Sequence, residues 1–165
     1  MFWTKLGHGA AAGAAGVTTL NAITYLDMAV RARPASDTPS QAVEQLARKA
    51  GTDIPGQGDD RDNRLAGLGP LAGIMTGAAV GVAAAFARPI LARVPAPLAA
   101  AALGALAMAG SDGPLVALGL TRPDDWATAD WASDIIPHLG YGAAVYATLT
   151  ALDTERSKGM HQARR

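Results

Sequence analysis

The sequence predicts an all-α integral membrane protein, a bundle of about four transmembrane helices with a short amphipathic helix in the first loop. Three observations carry that expectation. Charged residues crowd into the segments between long neutral stretches, although the 14 basic and 14 acidic residues cancel overall. Glycine recurs every fourth residue at Gly69, Gly73, Gly77 and Gly81, with Ala85 one step further. Half of the residues are apolar but only 5% are aromatic, so any core must pack largely through Ala and Gly. An interior glycine costs a water-exposed helix roughly 1 kcal/mol relative to Ala. A bilayer enforces the helical state and rewards close helix approach, so it tolerates such a run.

The first neutral stretch, residues 6–28, is long enough to cross roughly 30 Å of hydrocarbon at 1.5 Å per residue. Its many Ala and Gly residues, with Thr18, Thr19 and Asn21, make it a weak span that depends on partner helices. Trp3 and Tyr25 sit near its ends, where interfacial aromatics are expected. With one basic residue, Lys5, ahead of the run and no convincing cleavage site, it reads as an uncleaved span, with a signal peptide as the alternative.

Residues 31–64 form a polar insert. Within it Thr38-Pro39-Ser40-Gln41 matches a capping box with Pro at the first helical position, and Val43, Leu46, Ala47 and Ala50 recur at helical spacing until Gly51. This predicts a short amphipathic helix acting as a connector, its apolar face on the bundle or the membrane surface. Residues 56–63 read as a loop.

The second span, residues 65–87, carries the glycine series. Positions four apart drift by about 40° around a 3.6-residue helix, giving an inclined stripe for a close crossing. The expected partner surface is Gly9, Gly13 and Gly16 of the first span. Arg88, Pro89, Arg93 and Pro95 are read as a connector. A third span covers 97–109, extendable through Gly113-Pro114 to residue 120 as a broken or re-entrant element. Trp126 and Trp131 are expected interfacial anchors ahead of the fourth span, 131–152, in which Pro137 frees a carbonyl.

Four spans place Lys5, Arg88, Arg93, Arg156, Lys158, Arg164 and Arg165 on one side, against only Asp153 and Glu155. The short basic connector outweighs charges spread over the long insert, so both termini are expected in the cytoplasm, with the chain in the plasma membrane.

That topology gathers Asp27, Asn63, Arg64, Asp112 and Asp134 at the outer end. Asp134 and His138 are four apart and share a helical face. Ionisable groups near hydrocarbon are candidate proton relays or ion ligands. The structural alternative pairs Asp27 with Arg31 or Arg64, sets Asp134 at its own helix N-terminus, and gives His138 a carbonyl freed near Pro137. A metal site from Asp27, Asp134 and His138 would need a second shell and contains a single His, so no metal or other cofactor is implied.

Other chemistries lack support. Without Cys there is no disulfide framework and no thiolate metal site. Gly67-Leu68-Gly69-Pro70 lacks the Lys and strand of a phosphate loop, and Asp59, Asp60 and Asp62 lack the spacing of a calcium loop. Ser111-Asp112-Gly113 has no base beside it in sequence and reads as a turn. The basic tail suits anionic headgroups and gives no basis for nucleic-acid binding.

At Thr19-Leu20-Asn21, Tyr25-Leu26-Asp27-Met28, Arg33-Pro34-Ala35-Ser36, residues 64–70 and Asp134-Ile135-Ile136-Pro137-His138, the chain resembles a group of small actinobacterial membrane proteins. In outline, a Gly-rich first span, a polar insert and a final helix with His138 and Tyr141, it is similar to the YagU-like inner-membrane proteins. The resemblance implies a multi-span membrane protein and brings no substrate, cofactor or catalytic residue. The functional expectation is a non-enzymatic packing or accessory component of the bilayer, acting as a homo-oligomer or within a larger membrane complex. The alternative is a small transporter or channel using the outer Asp/His cluster; a membrane-embedded enzyme ranks third and a soluble Ala-rich bundle fourth.

Overall fold

The computed structural model describes residues 2–162, and those residues are helical throughout apart from connectors, with no strand among them. The helices are α1 (Phe2–Arg31), α2 (Thr38–Lys49), α3 (Asp59–Leu91), α4 (Ala96–Ala117) and α5 (Thr128–Gln162), with one 3-10 turn at Pro123–Asp125. Of the tail cations, Arg164 and Arg165 lie outside the described residues. Three helices, α3, α4 and α5, are long and apolar enough to cross a membrane. α1 is long enough but is not among them, because its Thr, Asn and Gly residues lower its hydropathy.

Several boundaries differ from the expectations above. α3 starts at Asp59, so residues 59–63 are helical rather than loop. Asp59, Asp60 and Asp62 in its first turn interact favourably with the positive end of the helix dipole. Arg88 and Pro89 belong to the end of α3 and not to a connector. α4 runs unbroken through Ser111, Asp112, Gly113 and Pro114, so this region is neither a turn nor a re-entrant break. It ends where Gly119 takes a positive φ of 71° and the N–H groups of Gly119 and Leu120 donate to the carbonyls of Val116 and Leu115.

The capping box at the start of α2 does not form. The helix begins at Thr38 after Asp37, which makes no side-chain cap. The Thr38 N–H instead donates to the hydroxyl of Ser36 (3.3 Å), so the chain is capped from outside the predicted motif. The other end behaves as the sequence suggests: Gly51 has φ 73°, and Gly51 and Thr52 donate to the carbonyls of Arg48 and Ala47. α2 packs on α3, where the Ser40 hydroxyl donates to the Leu65 carbonyl (3.1 Å).

The centre of the molecule is α1 packed on α3 and α5, with α4 against α5. α1 and α3 run antiparallel at backbone contact. A Cβ added to Gly9 would lie 2.5 Å from Val82 Cα, one on Gly13 2.7 Å from the Gly77 carbonyl oxygen, and one on Gly81 2.5 Å from Gly13 Cα. Gly16 and Gly77 border a notch filled by Tyr141, and a Cβ at Gly16 would sit 2.6 Å from its ring. The rest of the glycine stripe does not face α1. Gly69 meets the start of α2, 2.9 Å from the Ser40 nitrogen for an added Cβ, and Gly73 faces open space. The 40° drift per step accounts for this: one step before Gly77 the stripe has left α1, and two steps before it the stripe meets α2.

The core is correspondingly small in its side chains: Ala12, Val80, Ala84, Ala85, Leu103, Ala107, Tyr141, Val145 and Leu149. Replacing Gly81 by Ala should destabilise the bundle by about 1–3 kcal/mol, as overpacking does when backbone must yield. Gly73→Ala should be neutral or raise stability by up to about 1 kcal/mol through helix propensity. Thermal midpoints of the two variants in one detergent check the contrast, and equal midpoints would contradict this packing.

Candidate functional site

The polar residues singled out from sequence divide into separate groups. Asp27, at the end of α1, receives Arg33 and is paired with Arg31 at 3.5 Å. Arg31 also donates to the Ser133 hydroxyl (2.8 Å), which ties this end of α1 to α5. Arg64 does not join Asp27; its guanidinium donates to the carbonyls of Pro55 and Asp60, both at 3.1 Å, and holds the loop before α3. Asn63 is exposed.

Asp112, Asp134 and His138 do come together, between α4 and α5. The close approach of the two helices places them there. Gly104 lies against the carbonyl of His138, 2.6 Å for an added Cβ, and Gly142 lies 2.5 Å from the Gly104 nitrogen on the same measure. Asp134, His138 and Gly142 follow one another at four-residue spacing, so the face of α5 that touches α4 carries both titratable side chains. On α4, Ser111 is two turns beyond Gly104 and faces them.

His138 is 9% exposed, so its ring nitrogens must be satisfied by protein. Nδ1 lies 2.8 Å from the Asp134 carbonyl oxygen and 3.3 Å from Asp134 Oδ1. Both neighbours are acceptors, so Nδ1 carries the hydrogen. Nε2 lies 3.3 Å from the Ser111 hydroxyl. That hydroxyl is also 3.0 Å from the Met108 carbonyl and 3.3 Å from Asp112 Oδ1. Oδ2 of Asp112 and Oδ2 of Asp134 are each buried with no hydrogen-bond donor among the described residues.

The metal ligand set of Asp27, Asp134 and His138 is not assembled, since Asp27 is held by arginines at a separate place. Among the described residues, no group of three or more His, Asp or Glu side chains is arranged to hold a metal ion. Sequence reasoning missed Ser111, Ser133 and Arg33 as partners, and Gly104, Gly140 and Gly142 as close-contact positions. Only the last set had a visible signal, the two glycines flanking Tyr141.

At the opposite end of α3, Arg88 donates to Asp153 and to the Thr150 hydroxyl, both at 2.7 Å, and its guanidinium lies 4.9 Å from the Tyr146 ring centre. Phe2 meets Trp3 and Phe86 there, with the Lys5 ammonium over Phe86. Trp126 and Trp131 stack edge to face near the start of α5.

No protein-family model, curated protein or solved structure matches the chain.

Outside the long helices' apolar stretches, Glu44 on α2 accepts from Arg61 at 2.6 Å, and this bond, with the nearby charge of Arg48 adding to it, holds its carboxyl below the usual value of 4.5. A depressed carboxylate contributes stability that is present above its ordinary value and lost as pH falls through the lower folded one. Acidification through that window should therefore loosen α2 from α3, seen as faster amide exchange in α2. Glu44→Gln should give the same loosening at neutral pH and remove the pH dependence; an unchanged profile would rule out this pair as the tether.

Proposed function

We propose that the chain is an integral membrane bundle of four crossing helices, α1, α3, α4 and α5, with α2 as a surface connector. It works by packing, as an accessory or homo-oligomeric membrane component, and does no enzymatic chemistry. The observation that carries this reading is the inversion of burial. The interior is filled by Ala, Gly, Tyr141 and a few aliphatics, while Leu68, Leu71, Ile74, Met75, Ile136 and Leu139 lie partly or largely exposed along α3 and α5. In water such an arrangement leaves large apolar patches unsupported, whereas lipid tails or a neighbouring helix cover them without loss.

The vertical order of the side chains supports the same reading. Asp134 and Asp153 mark two polar levels on α5, separated by roughly 30 Å at the helical rise, the thickness of a hydrocarbon core. Aromatic groups gather near each level, as belts at both interfaces would. Residency in the plasma membrane with cytoplasmic termini follows from the basic residues around Arg88 and Arg93. α1, the weakest span, crosses because α3 and α5 hold it.

After alkaline carbonate treatment the intact protein should remain with the membrane pellet and require detergent for release, and release without detergent would overturn the reading. Mass measurement of the mild-detergent extract then distinguishes a homo-oligomer from a larger complex.

The cluster of Ser111, Asp112, Asp134 and His138 favours a second reading, a small proton or ion transporter. For it, Asp134→Asn should reduce proton flux into proteoliposomes several-fold while the variant folds normally.

A further inference from the structure

Beyond their crossing, α1 and α3 stop touching. The glycine contacts set the register: Gly9 lies against Val82 and Gly13 against Gly77, so each step toward the end of α1 is matched by a step toward the start of α3. Continued, that register sets Asn21 and Thr24 opposite Pro70 and Ala66. The helices do not meet there. A Cβ added to Gly73 would find nothing within 4 Å, and Ala66, Pro70 and Gly73 are all exposed. Exposure on α3 therefore falls on two faces. Leu68, Leu71 and Met75 form an outer apolar one, while Ala66, Pro70 and Gly73 follow one another on the face that continues from Gly77 toward α1.

The walls of this gap hold polar groups without partners. Thr18, Thr19, Thr76, Thr150 and Thr154 each donate to the carbonyl four residues back. Thr24 does not, and neither its hydroxyl nor the Asn21 carboxamide is hydrogen-bonded to any described residue, although both residues are partly buried. Across from them Pro70 has no N–H, which deprives the Ala66 carbonyl of its helical donor. Such groups are costly against hydrocarbon, where lipid tails offer them neither donor nor acceptor. Counted from Asp27 at the polar end of α1, the Asn21 amide lies roughly 9 Å deeper. No charge accompanies it, because residues 17–26 of α1 and 65–77 of α3 contain no Asp, Glu, Lys, Arg or His.

We propose that the gap is an aqueous crevice, open at the Asp27 end of the bundle and running down between α1 and α3 to Tyr141, which rests on the membrane placement of these helices proposed above. Water is the occupant the walls select. It both donates and accepts, as a carboxamide, a hydroxyl and a carbonyl together require, and it brings no charge to a site that offers none in return. The crevice is blind. Its floor is the backbone contact of Gly13 with Gly77, and beside it stands the Tyr141 ring, whose hydroxyl is already spent on the Gly77 carbonyl. A crevice closed at that level hydrates the outer halves of α1 and α3 without conducting anything.

The chain contains no cysteine, so single introduced thiols report on the crevice without background. In nanodiscs, the full chain carrying Asn21→Cys, Thr24→Cys or Gly73→Cys should react with a charged methanethiosulfonate at least about tenfold faster than Ala22→Cys and Leu71→Cys, because the thiolate is the reactive form and apolar surroundings suppress it. The last two place the thiol at similar depth on the outward faces of the same helices. Circular dichroism of each variant should show the wild-type helical content. Rates at 21, 24 and 73 as slow as those at 22 and 71 overturn the proposal, since a lipid chain or a second copy of the protein then fills the gap. Fast reaction at all five positions removes the membrane placement itself, and the crevice with it. Fast reaction confined to 21, 24 and 73 is the expected result.

Discussion

The fold depends on Tyr141 reaching the α1–α3 crossing. Its ring is wholly buried in the space left beside Gly16 and Gly77, and its hydroxyl donates to the Gly77 carbonyl at 2.6 Å. A side chain at Gly16 would occupy the place of the ring, and one at Gly77 would collide first with Val17 of α1. Through this one residue α5 contacts both other helices of the central trio, and the phenol satisfies itself on a carbonyl already engaged in helix, one with a spare lone pair. The backbone contacts of Gly9 and Gly13 with α3 extend the same interface toward the other end of α1.

That constraint explains how so weakly apolar a helix as α1 keeps its place. Its buried residues are Gly9, Ala12, Gly13 and Gly16, which remove little apolar area from any solvent. Area burial is thus a minor term for α1, and dispersion between closely spaced backbones is the larger one. Close approach requires shape and not hydropathy, so the helix can carry Thr18, Thr19 and Asn21 elsewhere on its surface. Thr18 and Thr19 turn their hydroxyls onto the carbonyls of Ala14 and Ala15, both at 2.9 Å, which removes their donors from competition with lipid.

Helical periodicity made the small-residue faces legible but not their partners. The four-residue spacing of Gly77 and Gly81 marks a face, and the α1 glycines mark another; their meeting could be read from sequence because both are unusual. Gly69 and Gly73 belong to the same series by spacing alone, yet the helix turns them to α2 and to open space. Residues 59–63 and 111–114 depart from their local turn signals for one reason. Asp, Asn, Ser, Gly and Pro signal turns by local preference, and here the flanking helices override it, with acidic residues suiting a helix N-terminus and Pro114 lying near a helix end. Asp134 and His138 were visible as a pair within one helix. Ser111, 27 positions away from His138, could not be seen beside it without the crossing that brings α4 to α5.

That second crossing mirrors the first. Gly104 and Gly142 bring α4 and α5 together at backbone contact, as Gly13 and Gly81 do for α1 and α3, but what lies beyond the glycines differs. Past the α1–α3 contact, at the end of α1, Asp27 is met by arginines and a serine. Past the α4–α5 contact the same interhelical distance that glycine permits brings Ser111, with Asp112 beside it, onto His138, whose Nδ1 is held by Asp134. The helices cannot separate there without opening the glycine contact two turns away. Close packing and the placing of polar groups are therefore one feature: the small residues that let a bundle form without large side chains also bring Ser111 of α4 to His138 of α5.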